Sequence, residues 1–124
     1  MDSMDKLSST EIAEFEDWLE RKTNLRFTIH IIEGHPCELF NKHDIPEYHP
    51  EAMCRFETNE VYVWRNASHA RKAIAHECIH LTRGVSVHKP NSAAGFAEED
   101  EIEKEAMKLV NEFTQREVYD LTDL

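Results

Sequence analysis

No apolar run in this 124-residue sequence approaches the roughly 20 residues that a bilayer span needs. The opening stretch, MDSMDKLSSTEIAEFEDWLE, is acidic and lacks the apolar core of a secretion signal, so the chain reads as cytoplasmic. Basic residues are scarce: 14 Lys and Arg stand against 25 Asp and Glu, a formal charge of −11. Duplex nucleic acid is held by Lys and Arg that neutralise phosphates, so no nucleic-acid partner is expected, and no anionic membrane surface. Cysteine is sparse too. Cys37, Cys54 and Cys78 are odd in number, irregularly spaced and form no CxxC, which fits reduced thiols rather than a disulfide framework. Internal repeats and low-complexity linkers are absent, so residues 1–124 are expected to form one compact domain.

What is present is patterned. Ile12, Phe15 and Leu19, with Trp18 beside them, recur at helical spacing and predict a helix from about Ser9 to Lys22. NLRFTIHIIEG sets Leu25, Phe27, Ile29 and Ile31 against Arg26, Thr28 and His30, the alternation of a half-buried strand. HPCELFNKHDIPEYHPEA carries three prolines and reads as irregular, with a short strand at CELF. MCRFETNEVYVWRN reads as a hairpin that turns near Thr58 and Asn59. Period two then gives way to helical spacing in NASHARKAIAHECIHLTRG, with Ser68 as the expected N-cap and Gly84 as the C-cap glycine. VSVHKPNSAAGF reads as a loop. A last helix is expected from about Ala97 to Tyr119, with Ile102, Ala106, Leu109 and Phe113 as its core stripe. The order predicts an α+β fold, one small sheet with helices packed on it.

The stretch AIAHECIHLTRG carries the chemistry. At about 100° per residue, Ala70, Ile74, Cys78 and Leu81 gather on the side that would pack on the sheet. His76 and His80 lie together on another face. Two imidazoles at i and i+4 supply half of a zinc tetrahedron, and the helix holds them rigid. Glu77, on the flank, cannot comfortably reach the same ion but can reach a water on it, which is the place of a general base. A composition this rich in His and Glu yields an HExxH by chance about once in fifteen such chains. Three features argue against chance here: the motif falls in an expected helix, its histidines leave the apolar stripe, and a strand precedes it. An extended HExxHxxGxxH is absent, since the residue three past Gly84 is Val87, with His88 one place further on. The third ligand is therefore sought in the acidic helix AEEDEIEKEAMKLVNEF, where Glu99 lies nearer than Glu103 to the centre of the apolar stripe.

HECIH followed downstream by EKEAMKLV resembles the gluzincin zinc metallopeptidases, in which a helical HExxH is joined by a glutamate from a pattern E-x-E-A-[D/N]-x-[F/L]-[A/V]. Glu103, Glu105, Ala106, Leu109 and Val110 match that pattern, while Met107 stands where the family has Asp or Asn. The resemblance spans about Glu60 to Phe113, and the short single domain is similar to the minigluzincins and to compact ImmA/IrrE-type proteases. It implies a zincin-like fold and a Zn2+ ion held by His76, His80 and Glu103. Glu99 is the rival ligand, backed by Glu103 four residues later in an orienting position. Glu77 would serve as general base in hydrolysis of a peptide or protein substrate. NEVYVWRN would be either an edge strand that pairs with an extended substrate or an ordinary sheet strand. His88, Tyr62 or Tyr119 could steady the oxyanion, and the tail VYDLTDL could hold the enzyme latent through Asp120 or Asp123. The competing reading is a non-catalytic zinc-stabilised module that binds a protein partner. An intact Glu77 favours the enzyme, because a structural site has no use for a base beside an open metal position.

Overall fold

The computed structural model describes residues 8–33, 51–85, 87–88 and 92–122, with side chains as far as Gln115. In chain order, α1 spans Ser9–Thr23, β1 Thr28–Ile32, β2 Ala52–Arg55, β3 Glu60–Trp64, α2 Ala70–Arg83 and α3 Ala93–Thr122. The layout is α+β, with the strands in one mixed sheet of order β1-β3-β2. None of the described helices is long and apolar enough to cross a membrane.

Local chemistry fixes α1 at both ends. The Ser8 hydroxyl accepts from Glu11 N at 3.1 Å and Glu11 Oε1 accepts from Ser8 N at 3.2 Å, a reciprocal cap. Asn24 closes the helix in the left-handed region at φ 57°. Ile12, Phe15 and Leu19 are buried, as their spacing predicts. The polar face of α1 is used as well: Glu20 and Glu16 accept the backbone N–H of Phe27 and Ile29 at 3.3 and 3.2 Å. That occupies donors along the outer edge of β1, which would otherwise be a sticky sheet edge.

The expected hairpin is present, with β2 antiparallel to β3 and Asn59 in its turn at φ 52°. The NEVYVWRN strand, however, is not an edge. It lies in the middle of the sheet, because β1 pairs with its far side in parallel, Ile29 opposite Val61 and Ile31 opposite Val63. The two edges that no other described strand occupies belong to β1, where Glu16 and Glu20 take the N–H groups, and to β2. Ile29, Ile31, Ala52, Cys54, Val61 and Val63 line the face that packs into the core. The opposite face carries His30 stacked on Tyr62 at 5.0 Å, with the Arg55 guanidinium 5.3 Å from the same ring. Tyr62 therefore points away from α2, and its expected role beside the motif helix is corrected.

The start of α2 differs from expectation by one residue, for a reason that lies elsewhere in the chain. Ser68 does not cap; the helix begins after His69. Glu51, at the entrance to β2, instead accepts Ser68 N and Oγ at 2.9 and 2.6 Å with one oxygen and His69 N at 3.0 Å with the other. At the far end Gly84 adopts φ 82°, the region only glycine enters without strain, and its N–H reaches the His80 carbonyl at 3.0 Å.

Helix α3 begins four residues earlier than its apolar spacing predicts. The Ser92 hydroxyl accepts from Gly95 N at 3.0 Å and its carbonyl accepts from Phe96 N at 2.9 Å, a cap disguised by the glycine in the first turn. Ile102, Ala106 and Phe113 are fully buried, and Leu109 packs partly against them. The helix runs unbroken to Thr122. At 1.5 Å per residue, Asp120 lies about 30 Å along the axis from Glu99, so the expected contact between Asp120 and the motif histidines requires α3 to break. Asp123, Cys37, the CELF segment and the side chain of Tyr119 lie outside the described residues.

Candidate metal centre

Helix α2 carries His76, Glu77 and His80, and α3 lies against it. His76 Nε2 is 2.7 Å from Glu99 Oε2, and His80 Nε2 is 3.0 Å from Glu99 Oε1. One carboxylate thus spans two imidazoles whose ring centroids are 5.0 Å apart. A ligand atom from each of the three residues lies within 4.8 Å of the other two, a group able to hold a metal ion. The histidines leave the apolar stripe as their phase predicts, yet only 17% and 16% of their side chains is exposed, because α3 covers them.

Glu103 is placed differently from its expected role as third ligand. Its Oε2 accepts from His76 Nδ1 at 2.8 Å, on the side of the ring away from Glu99. Its Oε1 takes Lys72 Nζ at 3.1 Å. Glu99 and Glu103 are one helical turn apart, so one reaches Nε2 and the other Nδ1 of the same imidazole. His88 sits 3.8 Å from Glu98, in an ion-pair contact of its own. Compared with known protein families, curated proteins and solved structures, the chain matches none significantly.

Electrostatics follow from this arrangement. Both ring nitrogens of His76 face carboxylate oxygens, an arrangement that favours the doubly protonated ring. Burial alone would lower its pKa, but the hydrogen bonds to Glu99 and Glu103, with the charge of Glu77, outweigh it and lift the group to about 9. Glu99 shows the converse. Desolvation pushes its carboxyl up, yet His76 and His80 together hold it at about 2. Glu103 is likewise held below the ordinary range, desolvation being outweighed by His76 and Lys72.

Glu77 faces the sheet side of this cluster, and desolvation raises its carboxyl pKa despite the two nearby histidines. The Cys54 thiol of β2 donates to it, and burial beside two glutamates keeps that thiol protonated. A cleft of about 250 Å3 opens beside these groups, walled by Ala52, Ala73, Lys72, His76, Glu77 and Glu103. Sequence reasoning did not find Cys54, Lys72 or Glu51 as partners of the site. Lys72 was legible in principle, since it stands four residues before His76 on the same helical face. Cys54 and Glu51 come from the hairpin, and no local spacing announces them.

The donor set fits a transition-metal dication. Two imidazole nitrogens and one carboxylate suit zinc and its neighbours, whereas magnesium and calcium favour all-oxygen cages. Ligands about 2.0–2.1 Å from a tetrahedral ion lie about 3.3 Å apart, so the 2.7 and 3.0 Å separations here would open by about 0.6 and 0.3 Å.

Proposed function

We propose that this protein is a zinc-dependent peptidase of the gluzincin type, with a zincin-like fold, in which His76, His80 and Glu99 hold the ion and Glu77 acts as general base. The observation that carries the reading is the convergence of two Nε2 atoms on one carboxylate from a second helix, with Glu77 and an open cleft beside them. Glu99 with Glu103 four residues later supplies the ligand and orienting carboxylate that the family resemblance calls for, one turn earlier than the sequence pattern placed them.

Zinc bound there would act as a Lewis acid on the scissile carbonyl and on water. The chain's own residues supply the rest. Glu77 takes a proton from water as its oxygen bonds to the carbonyl carbon, then delivers it to the amine nitrogen as the C–N bond breaks. Its raised pKa brings it nearer the working pH, which suits a group that must both accept and return a proton. Cys54 holds one side of the Glu77 carboxylate by hydrogen bond. The outer edge of β2, next to the Ala52 wall of the cleft, offers backbone groups to an extended peptide.

The test is a pair of measurements. Purified protein should carry about one zinc per chain, and Glu77→Gln should keep that zinc while losing hydrolysis of a mixed peptide pool. Equal cleavage by the zinc-loaded variant and the parent would overturn the catalytic assignment. Zinc binding with no cleavage by either would leave the non-catalytic zinc module as the better reading.

A further inference from the structure

Lys72 lines the cleft and pairs with Glu103, which is not one of the three ligands named above. Its Nζ donates to Glu103 Oε1 at 3.1 Å, while Glu103 Oε2 accepts from His76 Nδ1 at 2.8 Å. The three groups form a chain: ammonium, carboxylate, imidazole. We propose that Lys72 is a positioning residue for the metal centre, clamping Glu103 so that its free oxygen fixes the His76 ring with Nε2 turned toward Glu99 and His80. The inference rests on the metal-centre reading above.

The need for a clamp follows from Glu103 itself. Its side chain is 40% exposed, so burial does not choose its rotamer. A glutamate has three side-chain torsions, and an unanchored one samples several wells. Lys72 and His76 are four apart on α2, so they present their donors to α3 from one face, and a single carboxylate can serve both only in one orientation. With a metal bound, the hydrogen bond to Glu103 would keep the proton on His76 Nδ1 and leave the Nε2 lone pair for the ion, and it fixes the ring plane. Lys72 acts one link further back. Glu51, Glu77 and His69 share the cleft wall, and the Ser68 and His69 hydrogen bonds to Glu51 leave Glu103 as the acidic partner that Lys72 contacts.

The sign of the effect separates positioning from simple charge. Removing a positive side chain near a cation site would by itself tighten cation binding. Loss of a clamp loosens it. Zinc affinity, read by competition with a chromophoric chelator, should therefore fall about threefold in Lys72→Met, in line with a partly exposed ion pair. Lys72→Arg should restore it, and the deficit should shrink as salt is raised. Glu103→Gln should weaken binding about 10–100-fold. With Glu103 already changed, Lys72→Met should cost nothing more, because its path to His76 is gone. Should Lys72→Met fold poorly, Lys72→Gln serves in its place with the same expected loss. Unchanged or tighter zinc binding in Lys72→Met overturns the proposal, as does a full threefold loss persisting in the Glu103→Gln background. A parent protein that binds no zinc overturns the metal centre itself, an outcome distinct from both.

Discussion

Two stretches of helix α3 meet the rest of the molecule in different ways. Near its start, Glu99 and Glu103 face His76, His80 and Lys72. About four turns on, Phe113 packs edge-on against Phe15 at 4.9 Å and against Trp18 at 5.3 Å. The aromatic end gains about 25 cal/mol for every square ångström of apolar surface it removes from water. The polar end strips hydration from carboxylates and imidazoles, and recovers that loss only while each polar atom keeps a partner. A helix built for stability alone would carry the aromatic solution along its whole length. The polar end is the place where the sequence departs from what packing favours, and such departures mark function.

The widest separation of the two ends should come from Phe113→Ala. Phe113 of α3 is fully buried against Phe15 and Trp18 of α1, and truncation there should cost about 3–5 kcal/mol of stability. Urea unfolding followed by the fluorescence of Trp18 would read it, and zinc affinity of the folded variant should stay within twofold of the parent. A cost below about 1 kcal/mol would mean that the aromatic end does not anchor α3, and the contrast would collapse.

Glu99→Gln tests the other end. Changes to groups that only orient a ligand cost about 10–100-fold in metal affinity, so losing a direct ligand should exceed about a hundredfold. Stability should fall by less than in Phe113→Ala, because a third of the Glu99 side chain already meets solvent. Glu103→Gln, measured in parallel, should lose less zinc affinity than Glu99→Gln. The reverse order would return the ligand role to Glu103.

That pair of glutamates also shows how far sequence carries. The buried stripe of α2, the α1 helix, the hairpin turn and the Gly84 terminus depend on contacts a few residues apart, and all were legible. The choice between Glu99 and Glu103 depends on the phase of α3 against α2, which one pattern of residues cannot report. The helical wheel favours Glu99, which contacts both histidines, and the sequence pattern favours Glu103, which contacts His76 alone of the two. The same limit hid the central place of β3, set by parallel pairing with β1 across an intervening hairpin strand. It hid the cap of α2 too, because Glu51 takes the Ser68 hydroxyl that local rules assign to the helix.

The dependence on pH is the sharpest in sign. His76 is held protonated up to about pH 9, against an ordinary 6.5, by the two glutamates of α3. Its stabilising contribution to the metal-free protein is fully present below pH 6.5 and is lost as pH rises through about 9. Glu99, depressed from 4.5 to about 2, contributes above 4.5 and loses that contribution as pH falls toward 2. The α2–α3 contact should therefore be firmest between about pH 4.5 and 6.5, whereas the aromatic end has no such window. Zinc bound as proposed would displace the Nε2 proton, so at pH 7 His76 should release about one proton per ion bound, and affinity should rise about tenfold per pH unit until about pH 9. Calorimetry in two buffers of different ionisation enthalpy would count that proton directly. Identical apparent enthalpies in the two buffers would show that no proton is released, and that the two glutamates do not hold His76 charged at pH 7.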